Sequence, residues 1–157
     1  MARPPVQASQ ISQWAGRRRY SAGQFPLGDL AHATTVAVVI PTKECAGTVG
    51  GVLSEAVVPL AGRELVDEVV VIDADSRDST AAVAEAAGAR VIQQDAVLTE
   101  FGPARGKGDA LWRAVHETTS DIVCFLDGDT IDPVPSHAVG LLGPLLADRS
   151  LQLVKGA

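Results

Sequence analysis

Short apolar runs alternate along the chain with longer stretches in which apolar residues recur every three or four positions. The runs rich in Val and Ile predict strands at residues 36–40, 67–72, 90–93 and 121–126, and an alternating run predicts a fifth strand at residues 151–155. The longer stretches predict helices at residues 48–60, 78–87, 108–118 and 136–146. This order predicts an α/β fold with a mainly parallel sheet, right-handed crossovers and helices on both faces.

The first 33 residues show little of this periodicity. They are rich in Pro, Gln, Ser and Gly, they carry three consecutive arginines at 17–19, and we expect a flexible arm with one short helical turn near residues 27–32. The predicted domains are therefore this arm, residues 1–33, and an ordered unit, residues 34–157. Within that unit a loop of about a dozen residues follows the third strand, and its length makes it a functional candidate.

Polar residues cluster where the predicted strands end. They follow the first strand at residues 41–44, the second at 73–76 and the fourth at 127–129, and residues 105–108 open the helix before the fourth strand. Ligands bind outside the carboxyl ends of the strands in open α/β sheets, so all four segments are expected at one edge. Each segment alone also suits a solvated turn, because Asp and Gly are common in turns. The four together favour a nucleoside diphosphate site.

Each segment has a physical task in such a site. The glycines on either side of Lys107 let the backbone approach a ligand, the helix start supplies unpaired N–H groups, and Lys107 adds a cation beside a diphosphate. Asp129 is the expected ligand of Mg²⁺ or Mn²⁺, because these ions bind through one or two carboxylates plus substrate phosphates. Asp127 is expected either nearer the ribose or behind the direct ligands of the metal. Asp73 is expected to hydrogen-bond a nucleoside, as acidic residues after the second strand do in dinucleotide folds.

Composition narrows the function classes. The formal net charge of −6 disfavours a nucleic-acid or anionic-membrane binder, which would normally carry a basic patch. The sequence has neither G-x-G-x-x-G after its first strand nor G-x-x-x-x-G-K-[ST], which argues against a dinucleotide oxidoreductase and a P-loop ATPase. Two distant cysteines and three histidines have no metal-binding spacing. The N-terminus has no apolar leader, so a cytoplasmic location is expected.

The motifs, taken in order, resemble a known family. VVIP at residues 38–41, VVVID at 69–73, GKGDALWR at 106–113 and FLDGD at 125–129 are similar to segments of the nucleotide-sugar glycosyltransferases of the GT-A fold. GKGDALWR and the closing LQLVK at 151–155 carry a narrower resemblance to actinobacterial glucosyl-3-phosphoglycerate synthases.

This resemblance implies a GT-A, Rossmann-like fold and retaining transfer of glucose from a nucleoside diphosphate glucose, expected to be UDP-glucose, to 3-phosphoglycerate with Mg²⁺ or Mn²⁺. It implies catalytic roles for Lys107, Asp127 and Asp129, with Asp129 on the metal. The positions that it assigns to the nucleotide are Pro41, Thr42, Glu44, Asp73, Ala74, Lys107, Asp127 and Gly128. Enzymes of this kind are commonly dimers, so a homodimer is also expected.

Three departures from the family pattern leave alternatives open. Cys45 stands where a base-contacting glutamate is usual, so either Glu44 replaces it or donor affinity is weakened. Ala74 stands where a serine is common, and losing a hydroxyl partner costs about 1 kcal/mol of binding. The acceptor-binding half and a metal-binding histidine, which the family carries well beyond its D-x-D motif, have no counterpart, so the C-terminal half of the fold is expected to be missing. The alternatives are another GT-A transferase, with a mannosyl donor or a lipid-phosphate acceptor, and a non-catalytic nucleotide-binding module.

Overall fold

The computed structural model describes residues 7–30 and 34–156, and a four-stranded parallel sheet forms the centre of this part of the chain. The strands are β1 (Val36–Thr42), β2 (Glu68–Asp73), β3 (Arg90–Gln93) and β4 (Ile122–Phe125). Their order across the sheet is β3-β2-β1-β4, so β1 is central and pairs with both β2 and β4. The predicted parallel sheet is confirmed.

Six α-helices lie in the described residues: α1 (Ala8–Arg17), α2 (Val49–Gly51), α3 (Val58–Ala61), α4 (Thr80–Ala86), α5 (Lys107–Glu117) and α6 (Pro135–Ala147). A π-helical stretch, Val52–Val57, joins α2 to α3, so the helix predicted at residues 48–60 is present but locally widened. The loop after β3 contains two 3-10 turns, Gln94–Ala96 and Thr99–Phe101. No helix in residues 7–30 or 34–156 combines the length and the apolar character that a membrane crossing requires.

Helices cover both faces of the sheet, as the alternation of elements predicts. On one face, Ala110 and Ala114 of α5 pack in a cluster with Val39 and Val70. On the other face, the π-helical stretch, α4 and α6 contribute to the larger cluster that contains Val38. Successive strand residues point to opposite faces, so a strand covered on both sides must be apolar throughout. This explains why residues 36–40 form an uninterrupted apolar run with no exposed surface.

β1 continues two residues beyond its predicted end, through Pro41 to Thr42. Its pairing with β4 ends where Val39 lies opposite Phe125, whereas its pairing with β2 continues to Thr42. Alternate residues of a parallel strand bond to opposite neighbours, and Val39 bonds to β4 by accepting the N–H of Leu126 at 3.1 Å. The missing N–H of Pro41 therefore faces the side on which pairing has ended, and the proline costs no ladder bond.

The predicted fifth strand is wrong. Residues 151–156 have no regular secondary structure, and Leu153 is 83% exposed. An alternating apolar pattern becomes a strand only where a neighbouring strand offers hydrogen bonds to it. In the described residues the sheet ends at β4, and no such bonds form to this segment.

The segment predicted as an arm contains a helix that the sequence pattern did not predict. At its start the N–H of Gln7 donates to Oε1 of Gln10 at 3.1 Å, and α1 buries none of its residues. A 3-10 turn, Leu27–Asp29, forms at the beginning of the turn predicted for residues 27–32, and residues 31–33 lie outside the described part of the chain. The domain boundary at residue 33 remains a prediction.

Candidate functional site

The ends of β1 and β2 are joined by the side chain of Asp73. Asp73 lies opposite Thr42 in the sheet, and its Oδ1 accepts hydrogen bonds from the Thr42 hydroxyl at 2.9 Å and the Ser76 hydroxyl at 2.6 Å. Its Oδ2 accepts the N–H of Ser76 at 2.9 Å, and the residue is 1% exposed. A carboxylate offers about four acceptor positions, and these three bonds use most of them. Asp73 is thus first a structural tie between two loops, a role that the sequence did not reveal.

The loop after β1 is held against the loop after β2 by further bonds at Glu44. The N–H of Glu44 donates to the Ser76 hydroxyl at 2.9 Å, and its Oε1 accepts the N–H of Arg77 at 2.9 Å. Glu44 has a φ of 53°, a left-handed conformation that needs such support. The thiol of Cys45 donates to the carbonyl of Lys43 at 3.3 Å. Glu44 therefore supplies the carboxylate of this turn, while the thiol of Cys45 is engaged with the backbone of Lys43.

Ala74 completes the tie between the two strand ends. Its N–H donates to the carbonyl of Thr42 at 2.9 Å, which extends the β1–β2 ladder by one bond beyond Asp73. The sequence-predicted nucleoside residues Pro41, Thr42, Glu44, Asp73 and Ala74 therefore lie together at the carboxyl ends of two adjacent strands.

The start of α5 meets the end of β4 through an ion pair. Lys107, the first residue of α5, donates to Oδ1 of Asp127, which follows β4. Both side chains are 60% exposed, so the pair is accessible to a ligand. Gly106 caps α5 with a φ of 85°, a conformation that glycine adopts without strain. Residues that the sequence separates by 20 positions are thus brought into contact at the predicted edge.

Gly128 packs tightly under the end of β1. A Cβ at this position would lie 2.8 Å from Cγ2 of Thr42 and 3.2 Å from Cγ2 of Ile40, so any side chain would force a shift. The carbonyl of Gly128 also accepts the hydroxyl of Thr48 at 2.7 Å. These contacts connect the D-G-D turn to the nucleoside end of the site and hold the flanking acids at the surface, where Asp129 is exposed.

The residues present fit a divalent cation only in partnership with a ligand. Residues 7–30 and 34–156 contain no group of three His, Cys, Asp or Glu side chains placed to hold a metal. Asp127 and Asp129 supply carboxylate oxygens, which Mg²⁺ and Mn²⁺ accept, and these ions commonly complete their shell with water and substrate phosphates. The donor chemistry therefore suits a metal–diphosphate complex and does not suit a metal cage built from protein alone.

A buried arginine organises the loop before α5, and sequence reasoning missed it. Arg113 is 0% exposed; its Nη1 donates to the carbonyls of Gln94 and Val97, and its Nη2 to that of Gly102 at 2.6 Å. The sequence signal that could have revealed its burial is its spacing, because Arg113 lies three residues after Ala110 on the inward face of α5.

A cavity of about 1180 Å³ opens beside the Lys107–Asp127 pair. Its walls come from α1, α6 and residues 151–156, and they mix apolar side chains with the cations Arg18, Arg19 and Lys155. The chain as a whole is acidic, so this grouping of positive charge beside the site favours an anionic ligand.

Comparison with known families decides what kind of protein carries this site. Glycosyl transferase family 2 matches residues 37–137, which include all four strands except the first residue of β1, together with the D-G-D turn. The chain belongs to this family.

Curated relatives of this family 2 chain are named glucosyl-3-phosphoglycerate synthase. The protein from Mycolicibacterium smegmatis is 43% identical over 147 residues, covering 92% of this chain and 48% of the relative. The protein from Mycobacterium tuberculosis strain H37Rv is 42% identical over 134 residues, covering 83% of this chain and 41% of the relative. The chain thus spans about half the length of the curated relatives it matches.

Solved structures agree with this assignment. Mannosyl-3-phosphoglycerate synthase from Rubrobacter xylanophilus superimposes with a TM-score of 0.81 at 43% identity, covering 86% of this chain and 45% of that one. Glucosyl-3-phosphoglycerate synthase from Mycobacterium tuberculosis, in complex with Mn²⁺, UDP-glucose and phosphoglyceric acid, gives a TM-score of 0.74 at 39% identity, covering 82% and 46%. The predicted GT-A-like α/β fold is therefore confirmed for the family 2 chain.

Proposed function

We propose that the chain is the donor-binding half of a retaining glucosyltransferase that moves glucose from UDP-glucose to 3-phosphoglycerate. The observation that carries the proposal is the contact between Lys107 and Asp127 beside the buried Gly128 turn. This contact gathers a cation, two acids and a helix start at the carboxyl edge of the sheet, where a sugar donor's diphosphate would bind. The similar solved structure that contains Mn²⁺, UDP-glucose and phosphoglyceric acid supports the choice of ligands.

In this proposal Lys107 and Asp129 act on the leaving diphosphate. An ammonium group has three donors, so Lys107 is able to keep Asp127 and still contact a phosphate oxygen. Asp129 would hold Mg²⁺ or Mn²⁺, which when bound supplies charge that stabilises the departing group. Asp127 orients Lys107 and lies on the ribose side of the turn.

The nucleoside end of the proposed site is formed by the tied loops after β1 and β2. Pro41, Thr42 and Glu44 would line the uracil and ribose, with Ala74 beside the base. Asp73, which is 1% exposed, would support the nucleoside by holding the hydroxyl of Thr42 in place. Because the tie is made by the chain's own residues, this end of the site is preorganised, which lowers the ordering cost of binding.

Titration calorimetry with UDP in the presence of Mn²⁺ tests the proposal. We expect the 157-residue chain to bind UDP weakly and to transfer glucose slowly or not at all. Asp129→Asn should remove the Mn²⁺-dependent part of the binding heat. Asp132→Asn is the matched control, because Asp132 is exposed, lies just past the D-G-D turn and has a φ of 51° that asparagine accommodates. Wild-type protein that binds no UDP would refute the proposal, and equal heats for both variants would refute the metal role of Asp129.

Transfer of mannose is the second candidate, favoured by the TM-score of 0.81 to a mannosyl-3-phosphoglycerate synthase. Competition between UDP-glucose and a nucleoside diphosphate mannose, followed by an assay with 3-phosphoglycerate, separates the two donors. The cations Arg19 and Lys155 at the cavity wall support an anionic acceptor for either sugar. Homodimer formation and a cytoplasmic location remain predictions, and sedimentation analysis tests the first.

A further inference from the structure

We propose that Arg113 is a positioning residue that holds residues 94–106 in the shape that presents Gly106 and Lys107 to the diphosphate. This inference rests on the proposed function and adds a residue to which neither the motifs nor the comparisons assign a role. Arg113 reaches no part of the ligand site itself, so its influence would pass through the loop.

The first step is the contact between Arg113 and the loop. Its guanidinium is fully buried and donates to three backbone carbonyls of the loop, two in its first half and Gly102 in its second half. Buried backbone carbonyls cost free energy when they are left without a partner. The guanidinium therefore satisfies the loop's backbone from the inside and fixes both halves relative to α5.

The second step is the backbone of the loop, which cannot hold this shape unaided. Leu98, Gly102 and Gly106 have φ angles of 51°, 80° and 85°. The left-handed conformation is costly for a leucine and persists only where surrounding contacts enforce it. A bond from the N–H of Ala104 to Asp95 at 2.8 Å adds a local brace.

The third step connects the arginine to the residues at the site. Nε of Arg113 lies 3.7 Å from Oδ1 of Asp109, one helical turn earlier. The other oxygen of Asp109 accepts the N–H of Arg105 at 2.8 Å, and Arg105 directly precedes Gly106. A path of contacts thus runs from the buried arginine through Asp109 to Arg105, two residues before Lys107.

Lysine is a poor replacement at this position. A guanidinium presents five donors in a planar fork, whereas an ammonium is a compact point charge that cannot reach carbonyls in the same separated directions. Arg113→Lys keeps the charge and most of the aliphatic part of the side chain but loses some of the hydrogen bonds to the three loop carbonyls. The loop should then sample other conformations, and Lys107 should spend less time at the diphosphate position.

The nucleoside end of the site is held by a different set of side-chain bonds, and that difference provides the test. Thr42, Glu44 and Asp73 are tied to each other and to the loop after β2, with no bond from residues 94–106 among those described. Loss of the brace should therefore weaken binding of UDP and spare binding of uridine. A general loss of structure would weaken both.

The experiment measures UDP affinity with Mn²⁺ by calorimetry and uridine affinity by NMR titration, for wild type, Arg113→Lys, Asp109→Ala and a control. The control is Arg90→Lys, a half-exposed arginine that pairs with Glu68 on the surface. Arg113→Lys should raise the Kd for UDP about tenfold, because imprecise placement of a binding group is costly, and change that for uridine less than about twofold. Hydrogen exchange of residues 94–106 should speed up in the same variant, and Arg90→Lys should match wild type.

Asp109→Ala keeps the test decisive if Arg113→Lys does not fold, since Asp109 is partly exposed and its removal leaves the three carbonyl bonds in place. It should shift UDP binding in the same direction by a smaller factor. Unchanged UDP affinity in the variants, or equal weakening of UDP and uridine, overturns the positioning role while leaving the proposed function intact. Wild-type protein that fails to bind UDP, whether or not it binds uridine, refutes the proposed function and this inference together.

Discussion

Replacing Gly128 by alanine would place a methyl group in the junction between the two ends of the site. The added Cβ would lie 2.8 Å from Cγ2 of Thr42, 3.2 Å from Cγ2 of Ile40 and 3.3 Å from the carbonyl oxygen of Pro41. Ile40 is fully buried and the third contact is backbone, so the neighbours have little room to yield. Overpacking of this kind costs about 1–3 kcal/mol, and we expect a loss of stability in that range.

The same change should weaken UDP binding more than the loss of stability alone suggests. If the neighbours do not move, the D-G-D turn must shift outward, which strains the bond between Thr48 and the Gly128 carbonyl and displaces both acids from Lys107. Urea denaturation should therefore give a lower midpoint with an unchanged slope, and UDP affinity with Mn²⁺ should fall under conditions in which the protein stays folded.

Gly16→Ala is the matched control, because a Cβ at that position in α1 has no described atom within 4 Å apart from its chain neighbours and the backbone of its own helix. It should leave UDP binding unchanged and, as an alanine in a helix, should not lower stability. Gly128→Ala protein with the stability and UDP affinity of wild type would show that the turn accommodates a methyl group without cost, and the reasoning from these distances would be refuted.

Three further predictions concern other parts of the chain. Lys107→Ala should weaken UDP binding and leave uridine binding unchanged, whereas an equal loss for both ligands in calorimetry and NMR would contradict a diphosphate role. Hydrogen bonds from the backbone and side chain of Thr35 lower the pKa of Asp121 below its usual 3.8. Since the folded pKa is the lower one, the stabilisation is present above pH 3.8 and is lost as the pH falls through the folded value; urea midpoints measured from pH 5 to pH 2 should fall less for Asp121→Asn than for wild type. Burial raises the pKa of the Cys124 thiol to about 12, so Cys45 should react first with a thiol reagent, and UDP with Mn²⁺ should slow its labelling if the donor covers that turn. Faster modification of Cys124 in folded protein would contradict this order.

The strands could be predicted because their sequence signal matches their environment. A sheet covered on both faces requires continuous apolar strands, and the runs at residues 36–40 and 69–72 have that character. The end of β1 could not be located, because Pro41 suggests a stop until the pairing partner on each side is known. Residues 151–155 failed as a strand for a related reason, since pairing is a property of neighbours and not of the segment alone.

The site could be predicted as a location but not as a set of contacts. Topology brings strand ends to one edge, so the grouping of residues 41–44, 73–76, 105–108 and 127–129 followed from the order of elements. The structural duty of Asp73 and the loop brace of Arg113 did not follow, because both depend on carbonyls and hydroxyls brought near by the fold. Helix α1 was missed although Ile11, Trp14 and Ala15 recur at helical spacing, because the Pro, Gln, Ser and Gly around them favoured a flexible arm and none of its residues joins the core.

Pro41 in the central strand determines how far β1 stays paired with β4. Continuing the β1–β4 ladder by one rung would require position 41 to donate a hydrogen to the carbonyl of Leu126, and Pro41 has none to give. The two backbones are therefore free to diverge one residue before Asp127. Because Pro41 lacks this hydrogen, β1 and β4 stop pairing directly before the D-G-D turn.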